Sequence, residues 1–230
     1  MRESTRAAII VGAVVLTVTA FGLIVGADSG AVAAPQSGPA FISLSAAGVD
    51  TVEIDGIAGQ VSVTAASSTG IGDAGSSQPL LHRLDSGTHT LQLFCPGNGK
   101  CPAAVYTVTI PKGVGLTLNQ VSGQTALTGL SGPVDITASS DSVTATGLDT
   151  GSFTASITSG ELNAEFTAPP RQTVLTVISA DATLSLPGTN EYTVVQHVTS
   201  GNIDIGVPQG PNTPHVIDAT VVSGEISLGG

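Results

Sequence analysis

The stretch "VTSGNIDIGVP" at residues 198–208 joins a β-branched residue, a Ser-Gly pair and a run of alternating apolar and polar residues. Similar stretches stand at 120–130 ("QVSGQTALTGL"), 157–166 ("ITSGELNAEF") and 221–230 ("VVSGEISLGG"). Alternation with a period of two is typical of a β-strand with one buried face. The glycine before each run allows a sharp bend. The repeated stretch therefore predicts strands that leave similar corners.

These corner residues recur along the chain at intervals of 18 to 23 residues. The second residue of each Ser-Gly-like pair falls at Gly123, Asp141, Gly160, Ala180, Gly201 and Gly224. A second series of turn residues lies halfway between them, at Gly132, Gly151, Pro170, Gly188 and Gly210. A fixed period indicates stacked units that bury their apolar faces against their neighbours. The sequence therefore predicts an all-β fold, a two-sheeted parallel β-solenoid over residues 115–230 with about 20 residues per coil.

Apolar residues stand at every second position on both sides of the corners, which predicts a narrow core built from small side chains. If coils stack in sequence order, the stretch at 221–230 forms the last coil and leaves an open strand edge. The predicted inward positions include Phe153, Ile157, Leu162, Ala164, Leu184, Ile203, Ile205, Ile226 and Leu228. Three inward positions hold polar residues, namely Thr125, Thr173 and Gln196.

Residues 7–27 form an uninterrupted apolar run that follows two arginines, and this length suits a membrane-spanning helix. The small residues at 31–33 also suit a signal-peptidase site. Residues 1–33 are therefore a cleaved signal peptide or a retained signal anchor, and residues 34–39 are a short tether. Both alternatives predict that the remaining chain lies outside the cytoplasm, either secreted or anchored with its N-terminus inside.

Residues 40–114 are predicted to form an N-terminal β cap that is continuous with the solenoid. Cys95 and Cys101 bracket "PGNGK" between the strand-like runs "HTLQLF" and "AAVYTVTI", which predicts a hairpin. In an oxidising compartment, two cysteines across a hairpin form a disulfide. The cap is therefore expected to contain a Cys95–Cys101 disulfide.

The motif "GIGDAG" at 70–75 matches the glycine pattern of dinucleotide-binding loops. Such a loop must begin a helix, and the residues that follow have no helical periodicity. We therefore predict an exposed loop over 67–79 and no cofactor.

The net charge of −11 argues against a nucleic-acid partner. Neither H-E-x-x-H nor G-x-S-x-G occurs, so the sequence predicts no metalloprotease or serine hydrolase site. A carbohydrate-active β-helix enzyme is a weak alternative, because the repeats hold few basic and aromatic residues. The chain is therefore expected to be non-enzymatic.

The first outward position after each corner residue is often acidic or an amide. It is occupied by Gln124, Ser142, Glu161, Asp181, Asn202 and Glu225. In stacked coils, neighbours in such a row lie about 4.8 Å apart, so adjacent carboxylates repel unless a cation bridges them. Calcium favours oxygen ligands of this kind. One hypothesis is weak cation binding along Glu161, Asp181 and Asp204; the alternative is a solvated acidic face.

The C-terminal two-thirds of the chain resembles a bacterial "putative adhesin" family of exported β-strand repeat proteins. The resemblance rests on "YTVTIPKGVGLTL" (106–118) and on the Ser-Gly units at 122–123, 159–160, 200–201 and 223–224. It implies a cell-surface adhesin or envelope scaffold, whose partner would be an envelope or host-surface protein or glycan. Relatives are also associated with envelope stress, which implies a membrane-anchored stress sensor, held through residues 7–27, as the alternative.

Overall fold

The computed structural model describes residues 40–67, 70–75, 80–94 and 104–230. Within these ranges the chain forms thirteen strands and no helix. The strands are β1 (Ala40–Ser45), β2 (Thr51–Ala66), β3 (Gly70–Gly75), β4 (Leu81–Asp85), β5 (Thr90–Phe94), β6 (Ala104–Pro111), β7 (Gly115–Thr128), β8 (Val134–Leu148), β9 (Ser152–Phe166), β10 (Gln172–Ser185), β11 (Thr193–Val198), β12 (Asn202–Ile205) and β13 (Val216–Gly229).

The predicted N-terminal segments lie outside the described residues. They are the apolar run at 7–27, the signal peptide or anchor at 1–33 and the tether at 34–39. In the part of the chain that the structure describes, no helix is long and apolar enough to span a membrane.

All thirteen strands belong to one sheet, whose order is β1-β3-β6-β2-β7-β8-β9-β10-β13-β11. Every pairing from β2 to β11 along this order is parallel, while β1, β3 and β4 pair in the antiparallel sense. The prediction of an all-β, mostly parallel architecture is therefore confirmed.

The register of the central strands follows the repeat in the sequence. Asp141 pairs with Gly123 on one side and with Gly160 on the other, and Gly160 pairs with Ala180. The predicted inward residues of these strands are buried, as Leu162 and Leu184 illustrate with no exposed surface. The alternating pattern therefore identified the core of the central strands correctly.

The two halves of β9 fold back on each other. Phe153 lies near the start of the strand and Phe166 at its end, and their rings meet edge to face with centroids 5.3 Å apart. An extended strand of the intervening length would separate them by about 43 Å. Residues 158–161, none of which is buried, interrupt the alternation between the two buried halves. The Ser-Gly pair therefore marks a bend inside a continuous strand.

Glycine is required at this bend because two backbones approach each other closely. Gly160 has φ +122°, and a Cβ there would collide with the carbonyl group of Asp141. Gly224 has φ +137° and meets Ala180 in the same way. The two markers that are not glycine, Asp141 and Ala180, pair with glycines on both neighbouring strands. Glycine and larger residues therefore alternate across β7, β8, β9, β10 and β13, whereas Gly59 of β2 pairs with Gly123 of β7.

The last strand of the chain does not end the stack. β13 lies between β10 and the pair β11 and β12, so Ala180 pairs with Gly224 where sequence order predicted Gly201. The prediction of an open C-terminal coil at 221–230 is therefore wrong. The physical reason is Gln196, which stands at an inward position of β11 and is exposed at the end of the stack. In the middle of the stack the same amide would lose contact with water and would need hydrogen-bond partners inside the core.

The predicted hairpin around "PGNGK" is also wrong. β5 and β6 both run parallel to β2, along its first and second halves, and neither pairs with the other. They form one level of the stack, next to β2. Cys95 and Cys101 lie outside the described residues, so their disulfide stays a prediction. β2 itself pairs in parallel with β7, with a register shift around Ile57, and this pairing extends the parallel stack upstream of residue 115.

The motif at 70–75 forms strand β3, so the predicted loop is wrong for these residues. β3 pairs with β1 and β6, both antiparallel. Glycine has a weak intrinsic preference for strands, and backbone pairing on both edges overrides that preference here.

Candidate functional site

The bend residues of neighbouring strands form an acidic row on the surface. In register order this row is Gln60, Gln124, Ser142, Glu161, Asp181, Glu225 and Asn202. Three carboxylates are therefore consecutive, on β9, β10 and β13. The adjacency of Glu161 and Asp181 follows the sequence repeat. Glu225 joins them because β13 takes the place that sequence order gave to Asn202.

Protein groups already satisfy part of this acidic row. The side-chain amide of Asn163 donates to Glu161 Oε1 at 2.8 Å. The backbone N–H of Glu225 donates to Asp181 Oδ1 at 3.0 Å. Gln60 Nε2 donates to Gln124 Oε1 at 2.9 Å at the other end of the row. Hydrogen bonds and exposure to water therefore offset the repulsion between neighbouring carboxylates.

Asp204, the third residue of the predicted cation ladder, lies elsewhere. It pairs with Ser227, which is outside the row of Glu161 and Asp181. Among the described residues, no group of three or more His, Cys, Asp or Glu side chains is arranged to hold a metal ion. Cation binding along the row stays a prediction.

Asp141 is a buried carboxylate beside this row. Its side chain is 3% exposed, and Oδ2 accepts a hydrogen bond of 2.7 Å from the hydroxyl of Thr125. Oδ1 is buried and has no hydrogen-bond partner. Burial raises the pKa of Asp141, and hydrogen bonds from Thr125 and from the backbone of Ser142 oppose this rise. The polar residue Thr125, at a predicted apolar position, therefore serves to hold Asp141.

Replacing Asp141 with asparagine is expected to stabilise the protein at neutral pH. The folded protein binds the proton of Asp141 more tightly than the unfolded chain, so this residue lowers stability as pH rises through its raised pKa. Asparagine removes the buried charge and keeps an acceptor for Thr125. We expect a gain at pH 7 that shrinks on acidification towards the ordinary aspartate range and stays below about 1 kcal/mol, because the buried NH2 group of asparagine lacks a partner where Oδ1 lies.

Melting curves at several pH values test this expectation. Asp135→Asn is the matched control, because Asp135 is an exposed carboxylate on the same strand. A gain for Asp141→Asn that is no larger than for this control, or that does not depend on pH, would contradict the assignment.

A shallow groove of about 680 Å³ runs along the bends of β7 to β10. Its lining residues are Gly123, Ser140, Asp141, Ser142, Ser159, Gly160, Glu161 and Asp181. Small side chains leave the backbone accessible, and two exposed carboxylates give the groove negative character. Such a surface suits a ligand rich in hydroxyl or cationic groups.

The outward faces of the strands present further polar rows in register. One half of the stack carries Asn119, Thr137, Ser156, Thr176 and Thr220. The other half carries Thr144, Asn163, Thr183, Ser227 and Asp204. Short hydroxyl and amide side chains in regular rows provide many hydrogen-bonding groups at low conformational cost.

The end of the stack at β11 is a second candidate surface, and sequence order missed it. β11 and β12 pair with β13, and no other described strand pairs with them. Val195 and Val198 on β11 are 41% and 50% exposed. Gln196 was the signal in the sequence, because a polar residue at an inward position suits the end of a stack.

Comparison with known proteins supports the fold. No family model matches the chain, and no curated protein matches it significantly. A crystal structure of a putative cell adhesion protein from Clostridium sporogenes is similar, with a TM-score of 0.50 and 8% sequence identity. The similarity covers 83% of this chain and 99% of the other. At this identity the match shows a shared fold.

Proposed function

We propose that the chain is a non-enzymatic cell-surface adhesin or envelope interaction scaffold. The observation that carries this proposal is the surface of in-register polar rows, which runs across β7, β8, β9, β10 and β13 with the acidic groove at its bend. A long, flat array of hydroxyl, amide and carboxylate groups suits repeated weak contacts with an extended partner. The fold shared with a putative cell adhesion protein agrees with this role.

The proposed partner is an envelope or host-surface protein or glycan. The row of Glu161, Asp181 and Glu225 favours partners that carry amines or bound cations over anionic polymers. Regular rows of hydroxyl and amide groups favour sugars, whose hydroxyls can both donate and accept hydrogen bonds.

The finer fold proposal is a two-sheeted parallel β-solenoid with about 20 residues per coil. Three facts support it: the register steps of 18, 19 and 20 residues between β7 and β10, the contact between Phe153 and Phe166, and one continuous core cluster. In such a coil, each long strand supplies one segment to each sheet.

Export is part of the same proposal. The apolar run at 7–27 would direct the remaining chain out of the cytoplasm, as a secreted protein or as an ectodomain on a single-pass anchor. N-terminal sequencing of protein from membranes and medium tests this. A mature start near Ala34 in the medium indicates a secreted form, and an intact start in membranes indicates an anchor.

Binding measurements test the function itself. Purified protein is expected to bind intact envelope fractions or members of a glycan array, and Glu161→Gln with Asp181→Asn is expected to weaken binding at least about tenfold. Glu191→Gln with Asp149→Asn is the control, because both residues are exposed carboxylates outside the row. Equal binding by both double variants would contradict a role for the acidic groove, and no binding to any surface would contradict the adhesin proposal.

A further inference from the structure

The apolar core is open to solvent at the end of the stack formed by β11. Val194 packs against the core from this last level and is only partly buried. Val198, which also points inward, is 50% exposed. β11 is the last strand in the sheet order, so its outer edge has no described neighbour. Apolar side chains at the end of the core are therefore exposed to solvent beside a strand edge that can pair with another strand.

The hydrogen-bonding groups of this edge follow from the alternation of the backbone. Thr193 donates its N–H to the carbonyl of His215, and Thr199 donates to that of Val221, both on the side of β13. Successive residues of a strand point their backbone N–H and C=O groups to opposite sides. The residues between Thr193 and Thr199 therefore alternate between facing β13 and facing away from it. The groups that point away from β13 are those of Val194, Gln196 and Val198.

The edge ends at Tyr192, where the loop after β12 covers it. Tyr192 donates its N–H to the carbonyl of Pro208, and Gly210 donates to the carbonyl of Tyr192. The accessible part of the edge is therefore the short segment from Val194 to Val198, which limits the length of strand that can dock.

We propose that this edge binds the same edge of a second copy of the chain, with the two β11 strands antiparallel about a two-fold axis at Gln196. In this register Val194 lies opposite the partner's Val198, and Gln196 lies opposite the partner's Gln196. Directly opposite residues share one face of an antiparallel pair, so apolar residues meet apolar residues. The backbone N–H and C=O groups of these three residues in each copy then form six hydrogen bonds between the copies.

Charge favours a second copy over a foreign strand. The protein carries a net charge of −11, but β11 has the sequence "TVVQHV" and contains no Asp, Glu, Lys or Arg. Two copies that pair along β11 therefore place no like charges opposite each other within the strand pair. A basic partner strand would find no carboxylate on β11 to pair with. A two-fold contact also uses the β11 edge of each copy, so assembly through this edge closes at two copies.

For an adhesin of the kind proposed, the partner would be a second copy of the chain that is carried by a facing surface. β1 and β11 lie at opposite ends of the sheet order, so pairing through β11 leaves both β1 strands far from the contact. This biological meaning rests on the proposed function, whereas the dimer itself does not.

Cysteine cross-linking of the full chain in cells tests the register. Gln196→Cys places two thiols on the two-fold axis, where the Cα atoms of a hydrogen-bonded antiparallel pair are about 5.5 Å apart and within reach of a disulfide. Gln172→Cys is the matched control, because Gln172 is also an exposed strand glutamine but β9 and β13 flank it on both sides.

We expect a band of doubled mass on a non-reducing gel for Gln196→Cys alone. Equal cross-linking of both variants, no cross-linking of Gln196→Cys, a ladder of higher multimers, or a cross-link to a different protein would each overturn the two-fold dimer.

A charge variant provides a second test that does not depend on a thiol. Gln196→Lys places two like charges on the axis, and its side chain is exposed in the monomer, so folding should tolerate it. We expect the dimer population of the purified protein, measured by mass photometry, to fall at least about tenfold, and Gln172→Lys to leave it unchanged. An unchanged dimer in Gln196→Lys contradicts the proposal.

The dimer and the proposed function can fail separately. If the protein dimerises but binds no envelope surface or glycan, the proposed function is wrong and the dimer is retained. If the protein binds such a surface but forms no dimer, the dimer is wrong and the proposed function is retained.

Discussion

Replacing Ile226 with alanine is expected to lower the free energy of unfolding by about 3–4 kcal/mol, within the range for a buried isoleucine. Ile226 has no exposed surface and lies on β13, between β10 and β12. Its neighbour in register, Ile203, lies on β12 at the end of the stack and is only partly buried. The same substitution at Ile203 is expected to cost about 1 kcal/mol, because less apolar surface returns to water.

Denaturant unfolding of the two variants measures this difference directly. The substitution is chemically identical at both positions, so each variant is the control for the other. Stacking in sequence order would make Ile203 the buried residue and Ile226 the residue at the open end. A larger loss for Ile203→Ala, or equal losses, would therefore contradict the observed place of β13.

The sequence pattern predicts well which face of a strand is buried, but it predicts poorly which strands pair with each other. Alternation identifies which side of a strand is buried, and Leu162, Leu184 and Ile226 all lie in the core as it indicates. It contains no information about which strand pairs with which. Where neighbours in sequence are also neighbours in space, as for β7 to β10, the repeat was sufficient to predict the register.

The strand order departs from the sequence at both ends of the stack. β5 and β6 together form a level outside β2, and β11 with β12 forms a level outside β13. At one end a polar inward residue, Gln196, could have indicated the outer level. At the other end, the Pro and Gly residues of "PGNGK" at 96–100 were interpreted as a hairpin turn, but these residue types favour turns without determining whether the flanking strands pair with each other.

The candidate site was also predictable only in the part where neighbours in sequence are neighbours in space. Adjacent carboxylates at Glu161 and Asp181 followed from the period, whereas Glu225 required the true position of β13. The burial of Asp141 was missed because it stands where other repeats have glycine. A residue with a Cβ at this position directs its side chain into the interior, and Thr125 on the preceding strand accommodates it. Only the contact between two strands reveals this pair.

Replacing Gly160 with alanine is expected to cost about 3 kcal/mol or more. A φ of +122° is a conformation that residues with a Cβ rarely adopt, and holding one there costs about 1–3 kcal/mol. In addition, the new Cβ would overlap the carbonyl oxygen of Asp141 on the neighbouring strand, a backbone atom that cannot rotate away. β8 and β9 would have to separate at the bend, which lengthens hydrogen bonds on both sides of it.

Gly151→Ala is the matched control for this variant. Gly151 lies in the connection before β9, is exposed and has no positive φ, and a methyl group added to it would meet no atom within 4 Å. Its substitution is expected to change stability by no more than about 0.5 kcal/mol. Thermal unfolding of both variants distinguishes a general cost of losing glycine from a cost specific to the bend. Similar melting temperatures for the two variants would show that the strands can separate at Gly160 without loss, and the close approach of backbones would then not be what selects glycine there.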